Sequence, residues 1–262
     1  MDPTMFRIGS IEVRWYGFLM GLSIVIGLLI MFNIVLKTQP RGGVTEDVIL
    51  TVLPFALLSG LIGARFIYVI TNWDFYAMYP AEIPRTDHGG LSFHGALLGG
   101  ALVLWFFTRR YKIDFNWLGD LFVPGLATGI MLVRIGNLIN GESLGRETAF
   151  AFGRHPTQIY GSLIGLVLLI LAISQLRRGG LPNGYVLWSF ILWYSVLRAF
   201  VEETLRDNPL YVIHYVNDTL GIGFLTLTQI ASLPLIIIAW TILRRLRTGG
   251  QTAGEAETPV QA

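Results

Sequence analysis

Seven long apolar runs joined by short polar loops leave this chain few ways to fold. They cover roughly residues 16–36, 48–70, 91–107, 118–139, 159–176, 185–201 and 220–243. Most approach the length needed to cross about 30 Å of hydrocarbon at about 1.5 Å of rise per residue. Helices are the expected form, because an exposed strand edge would leave backbone groups unpaired in lipid. Charged residues make up 14% of the 262 residues, against about 25% in a typical soluble domain. The expected fold is an all-α integral membrane protein of about seven transmembrane helices.

Orientation follows from the cations. Lys37 and Arg41 come after the first run, Arg109, Arg110 and Lys112 after the third, Arg177 and Arg178 after the fifth, and Arg244, Arg245 and Arg247 after the seventh. The positive-inside rule places all four clusters in the cytoplasm, with the N-terminus outside and the C-terminus inside. The first residues lack a cleavable signal pattern, so the first run is expected to be a retained span. We expect one transmembrane domain over 1–247, a small periplasmic head, and a disordered cytoplasmic tail over 248–262, which is polar and rich in Gly, Ala and Thr. The loop 71–90, with Trp73, Phe75, Tyr76 and Tyr79, reads as an interfacial aromatic belt.

Composition excludes several classes. Cysteine is absent, which rules out disulfides, thiolate metal ligands and acyl transfer through a protein thiol. The sequence pI is near 9.0, but the basic residues are dispersed rather than gathered into a nucleic-acid patch. Four scattered histidines without a metal-ligand spacing imply no metal site, and no nucleotide or other cofactor signature is present.

The informative residues are those lipid should reject: Arg65, His94, Arg134, Arg198 and Glu202. A charge at the bilayer centre costs at least about 2.5–3.5 kcal/mol, so such groups are paired or face a polar cavity. Structural readings exist for some of them. Arg198 and Glu202, at i and i+4, can neutralise each other on one helix face. Arg65 can cap carbonyls or snorkel. The stretch RIGNLINGESLGR, 134–146, resists that treatment. Arg134, Asn137 and Gly141 share one helix face, and Asn140 with Gly141 suits a left-handed helix end. Two guanidiniums, two amides and a carboxylate at one membrane face suit a phosphate or glycerol head group.

At these residues the chain resembles the prolipoprotein diacylglyceryl transferases, whose signature reads approximately G-R-x-G-N-F-x-N-G-E-x-x-G-R. Here 133–146 reads VRIGNLINGESLGR, with Val133 for the opening Gly and Leu138 for the Phe. Further segments agree in order: VRWYGFLM (13–20), GARFIYVI (63–70), HGGLSFHGALLGG (88–100), RHPTQIYGS (154–162) and YSVLRAFVEETLRD (194–207). The match runs from about Phe6 to Leu243. Three departures stand out: Ala96 replaces a glycine, Gly161 stands where an acid is expected after Tyr160, and the spacing to Arg206 is one residue longer than in many relatives.

The resemblance implies that phosphatidylglycerol donates its diacylglyceryl group to the lipobox cysteine in a prolipoprotein signal peptide, and that glycerol phosphate leaves. The partners are then these two substrates and membrane lipid at the bacterial inner membrane, with the active site toward the periplasm. It implies catalytic roles for His94, Arg134 and Arg198. Substrate binding is expected at Arg65, Asn137, Asn140, Glu142, Gly145, Arg146, Tyr194 and Glu202, and at Tyr16, which reads equally well as an interfacial belt tyrosine. Glu202 is expected to orient Arg198, and Glu142 to orient Arg146.

The chemistry requires a base for the thiol and a clamp for the departing phosphate. A neutral His94 fits the first role, while an Arg lowering the thiol pKa would serve without any histidine. His155, before Pro156 in an outer loop, reads as a helix-entry cap, and His88 and His214 as surface residues. An anion transporter would show related halves, which are not apparent. An inactive lipid-binding scaffold would have lost His94, Arg134 or Asn137, and all are present.

Overall fold

The computed structural model describes residues 2–9, 11–37, 43–85, 90–208, 210–217 and 219–255. Among the described residues, six helical stretches are long and apolar enough to span a membrane: Trp15–Lys37, Glu46–Thr71, Phe115–Asn140, Thr157–Arg178, Tyr185–Leu205 and Leu227–Thr248. The remaining expected span forms helix α4, Phe93–Tyr111. It is less apolar, with Gly95, Gly99 and Gly100 along its length and Arg109 and Arg110 in its last turn. The protein is thus predominantly helical, but two antiparallel hairpins among the described residues modify the all-α expectation. β1 (Thr4–Ile8) pairs with β2 (Ile11–Arg14), and β3 (Leu210–Asn217) pairs with β4 (Ile222–Thr226).

The chain divides into two compact units, Val35–Leu118 and a second made of Met1–Ile34 with Gly119–Ala262. In the first, α2 (Glu46–Thr71) starts on Thr45, whose side chain accepts from the Val48 N–H, with Glu46 and Asp47 favourably placed in its first turn. α4 starts on Ser92, whose hydroxyl accepts from the Gly95 N–H. The two helices meet through small residues. A side chain at Gly63 or Gly95 would strike the other's carbonyl, and one at Gly99 would strike Ser59. The Ser59 hydroxyl donates to the Gly99 carbonyl at 2.8 Å. The run GALLGG is therefore a packing surface, as its position in an apolar span predicts.

Within the same unit lie α3 (Trp73–Met78) and a 3-10 turn, Pro80–Glu82. Trp73, Phe75 and Tyr79 face outward, and Tyr76 is buried. Arg65 is also buried. Its Nε donates to the Ile83 carbonyl at 2.8 Å, Nη1 to Gly90 at 2.9 Å and Nη2 to Glu82 at 2.6 Å. Its guanidinium sits 5.1 Å from the Tyr76 ring centroid.

The second unit holds α1 (Trp15–Lys37) as far as Ile34, α5 (Phe115–Asn140) from Gly119 onward, α6 (Thr157–Arg178), α7 (Tyr185–Leu197) and α9 (Leu227–Glu255). A Cβ on Gly27 of α1 would stand 2.6 Å from the Gly125 Cα of α5, so these helices touch backbone to backbone. Ala127, Ile164 and Leu168 form a core against which Phe190, Tyr194 and Leu197 pack. Buried Asp120 accepts from the Gly184 and Leu187 N–H groups, both at 2.7 Å, at the start of α7. A carboxylate there satisfies orphan donors and complements the helix dipole.

The seventh apolar run begins later than its hydropathy indicates. Residues 222–226 are strand, and the helix starts at Leu227 because Thr226 and Gln229 form a capping box. The Thr226 hydroxyl accepts from the Gln229 N–H at 3.2 Å, and the Gln229 side chain accepts from the Thr226 N–H at 3.0 Å. α9 continues helical to Glu255, into the segment expected to be a polar tail. Residues 256–262, and His88, lie outside the described residues.

Candidate functional site

The site is assembled where α5 ends. Arg134 and Asn137 lie one turn apart near its end, and both are buried. The helix closes in a Schellman motif: the Glu142 N–H donates to the Asn137 carbonyl at 2.9 Å and the Gly141 N–H to Leu138 at 3.3 Å. Gly141 adopts φ +70°, the left-handed end its sequence position predicts. Ser143 comes next but one with φ +58°, a costly conformation for a non-glycine residue that surrounding contacts must hold. Thr157 donates to the Ser143 carbonyl at 2.8 Å and Gln158 to the Glu142 carbonyl at 2.7 Å. The Thr-Gln pair of RHPTQIYGS thus anchors the turn.

Opposite stands the end of α7, where the helix widens into a π-helical turn over Arg198–Glu202, continued by α8 (Glu203–Leu205). The Glu203 N–H donates to the Arg198 carbonyl, five residues back. This turn corrects the expected Arg198–Glu202 pair. Widening by one residue puts Arg198 above Glu203 instead, with 3.2 Å between Nη2 and Oε1. Glu202 is thereby freed to pair with Arg134 of α5. Arg206 bridges the two carboxylates at 3.7 Å from Glu202 and 3.6 Å from Glu203. Glu202 and Glu203 are essentially fully buried, so these are low-dielectric contacts.

Hydrogen bonds extend the array in both directions. Arg206 donates to the Ser143 hydroxyl at 3.0 Å, which also accepts from Asn137 at 3.4 Å. Arg198 donates to the Tyr194 hydroxyl at 3.0 Å. Asn208 donates to Glu203 at 2.6 Å, and its own carbonyl accepts from Arg146 at 2.9 Å. Arg146 pairs with Asp207 at 3.8 Å rather than with Glu142, correcting that expectation. The backbone imposes this: the Arg146 N–H donates to Leu205 and the Asp207 N–H to Leu144, which draws 144–146 alongside 205–207. Gly145 is required there because a Cβ would strike the His155 carbonyl. Glu142 instead accepts from Asn140 at 3.4 Å.

Arg134, Arg198 and Arg206 against Glu202 and Glu203 leave one positive charge in excess, which suits a bound anion. Burial draws the Arg206 guanidinium below the usual arginine value; Arg134 and Arg198 act the same way, while Glu203 and Glu202 oppose. Tyr16 of α1 lies over Gly136, where a Cβ would stand 3.1 Å from its ring, and sits in the electrostatic field of Glu142 and Arg134. Gly161, the position of the missing acid, faces Arg134 directly. A Cβ at 161 would stand 2.7 Å from Nε and 3.0 Å from Cδ. The side chain of Arg134 occupies that space, and its carboxylate partner is Glu202.

The structure thus gathers Tyr16, Arg134, Asn137, Asn140, Glu142, Gly145, Arg146, Tyr194, Arg198 and Glu202 in one compact unit. Arg65 and His94 belong to the other unit, Val35–Leu118. His94 is the second residue of α4; its side chain and that of His214 lie outside the described residues. His155 is buried, with Nε2 2.8 Å from the Leu220 carbonyl, which makes it a tie between the 147–155 segment and the β3–β4 turn. Sequence reasoning missed Glu203, Ser143 and Asn208 and set Arg206 aside. The doubled acid at 202–203 and the extra residue before Arg206 were the signals of a widened turn.

The family model for prolipoprotein diacylglyceryl transferase matches residues 3–245. The chain is similar to a protein of Thermoanaerobacter sp. (strain X514) named phosphatidylglycerol–prolipoprotein diacylglyceryl transferase, 41% identical over 94% of each chain. Proteins with the same name in Thermus thermophilus and Listeria monocytogenes are 37% and 34% identical, over 94% and 93% of this chain and 98% and 89% of their own.

Proposed function

The chain belongs to the prolipoprotein diacylglyceryl transferase family, and from that premise we propose how its residues divide the work. It is a multi-pass membrane enzyme that transfers the diacylglyceryl group of phosphatidylglycerol to prolipoproteins. The acceptor is the thiol of a lipobox cysteine. The sulfur attacks the glyceryl carbon bonded to phosphate, a C–S bond forms, the C–O bond breaks, and glycerol phosphate carries away the electron pair. The thiol proton passes to a base.

Arg134 and Arg198 clamp the phosphate, and Arg206 adds the excess charge that holds the departing anion. The array of three guanidiniums on two buried carboxylates is the observation that carries this reading. Charge fixed before reaction in a low-dielectric site lowers the barrier without reorganisation. Asn137, Asn140 and Tyr16 hydrogen-bond glycerol and phosphodiester oxygens, and Tyr194 steadies Arg198. Glu142 and Arg146 line the mouth, with Gly145 setting the backbone there. Glu202 holds Arg134. Arg65, whose donors hold carbonyls at 82, 83 and 90, shapes its own segment rather than touching substrate. His94 is assigned as base on its chemistry, since a neutral imidazole accepts a proton near pH 7. The site faces the periplasm across the bacterial inner membrane, in a seven-span chain with its N-terminus outside and a small periplasmic head.

The test is transfer in detergent from phosphatidylglycerol to a peptide with a lipobox cysteine, read as thioether mass and glycerol phosphate release. Wild type transfers, Arg134→Ala does not, and His94→Gln falls by on the order of 10²-fold or more, the usual range for a general base. Folded wild-type protein that binds phosphatidylglycerol without transfer would overturn the reading.

A further inference from the structure

We propose that Glu203 is the positioning residue for Arg198, and that the π-helical turn exists to give Arg134 and Arg198 a carboxylate each. The inference rests on the assignment of Arg198 to the phosphate. Glu203 is fully buried, hydrogen-bonded at Oε2 and ion-paired, without a hydrogen bond, at Oε1. Oε1 faces Arg198 at 3.2 Å and Arg206 at 3.6 Å, while Oε2 accepts from Asn208 at 2.6 Å and Thr226 at 3.4 Å. A carboxylate held at Oε2 by Asn208 and Thr226 resists following Arg198 if the latter moves. It fixes where Arg198 stands. The Tyr194 hydroxyl fixes the other arm of the guanidinium at 3.0 Å. The Arg198 side chain nevertheless keeps 22% of its surface exposed, which is where a ligand would meet it.

The turn itself is held by long-range contacts. A π turn is rare and marks functional sites more often than chance allows. Here the Ala199 carbonyl accepts from the Gln229 side chain at 2.9 Å and from the Thr204 hydroxyl at 3.3 Å. Gln229 also caps α9, and its capping partner Thr226 reaches Glu203. The start of α9 therefore supports both the widened turn and the carboxylate it delivers. Were the helix to stay α-helical, Arg198 would stack on Glu202 at i+4. Arg134 would then share that one carboxylate with Arg198. Gly161 supplies none in its place.

Glu203→Gln keeps shape and hydrogen-bonding capacity but removes the charge. In the transfer assay we expect kcat to fall on the order of 10- to 100-fold, the scale of a misplaced reacting contact, with KM for phosphatidylglycerol changed less than about threefold. The loss should be absent in an Arg198→Ala background, because Glu203 acts through Arg198. Glu203→Asp, which keeps the charge but withdraws it, should fold and still lose kcat; it serves if the Gln variant does not fold. Parental kcat in folded Glu203→Gln or Glu203→Asp, or losses that add to that of Arg198→Ala, would overturn the assignment while leaving the transferase reading intact. A wild type without transfer would end both.

Discussion

Replacing Gly161 by alanine asks whether the position of Arg134 governs the rate. The added Cβ would stand 2.7 Å from Nε and 3.0 Å from both Cδ and Cγ of Arg134, where about 3.5–4.0 Å is comfortable. The side chain must retreat by roughly 0.5–1 Å. Three successive atoms of its stem are struck, and its tip is tied to buried Glu202, so rotation of the end alone does not relieve the overlap. Misplacing a positioned group by about 1 Å costs on the order of 10²-fold in rate, equivalent to about 2.7 kcal/mol of barrier. We therefore expect kcat/KM for phosphatidylglycerol to fall about 30- to 100-fold, by initial rates of glycerol phosphate release. Gly21→Ala is the control, since nothing lies within 4 Å of a Cβ built on that residue of α1. Thermal unfolding of both variants separates lost rate from lost fold. Parental kcat/KM in a folded Gly161→Ala protein would refute the claim that the placement of Arg134 limits transfer.

Two further outcomes concern the frame around the site. Asp120→Asn removes the charge that satisfies two N–H groups at the start of α7; thermal unfolding in detergent should show a loss of about 1–3 kcal/mol, and an unchanged midpoint would count against that anchoring. Thr226→Val removes both the cap of α9 and a contact to Glu203. It should cost about 1–2 kcal/mol of stability and lower kcat as well, whereas a purely local cap would leave kcat untouched.

Much of the fold is readable residue by residue. The apolar runs at 16–36, 48–70, 118–139 and 159–176 became helices within a few residues of their expected bounds, because each depends on its own hydropathy. The left-handed end at Gly141 was readable for a similar reason: glycine there tolerates what a Cβ resists. The start of α9 was not. Leu220 is as apolar as the leucines of the helix itself, and the side chains of Thr226 and Gln229 override hydropathy at that point. Strand β4 escaped notice because it shares one apolar stretch with the helix that follows it.

In the site, the face carrying Arg134 and Asn137 followed from helical periodicity, which holds wherever the helix is regular. Sequence alone determined which polar groups lipid would not tolerate unpaired: Arg134, Arg198 and Glu202. Only the tertiary structure decided who pairs with whom. The π turn that gives Glu202 to Arg134 and Glu203 to Arg198 is held partly by Gln229, thirty residues beyond the Ala199 carbonyl it contacts. Periodicity reports neighbours along one helix; the widened turn is stabilised by a neighbour on another, and no local pattern carries that information.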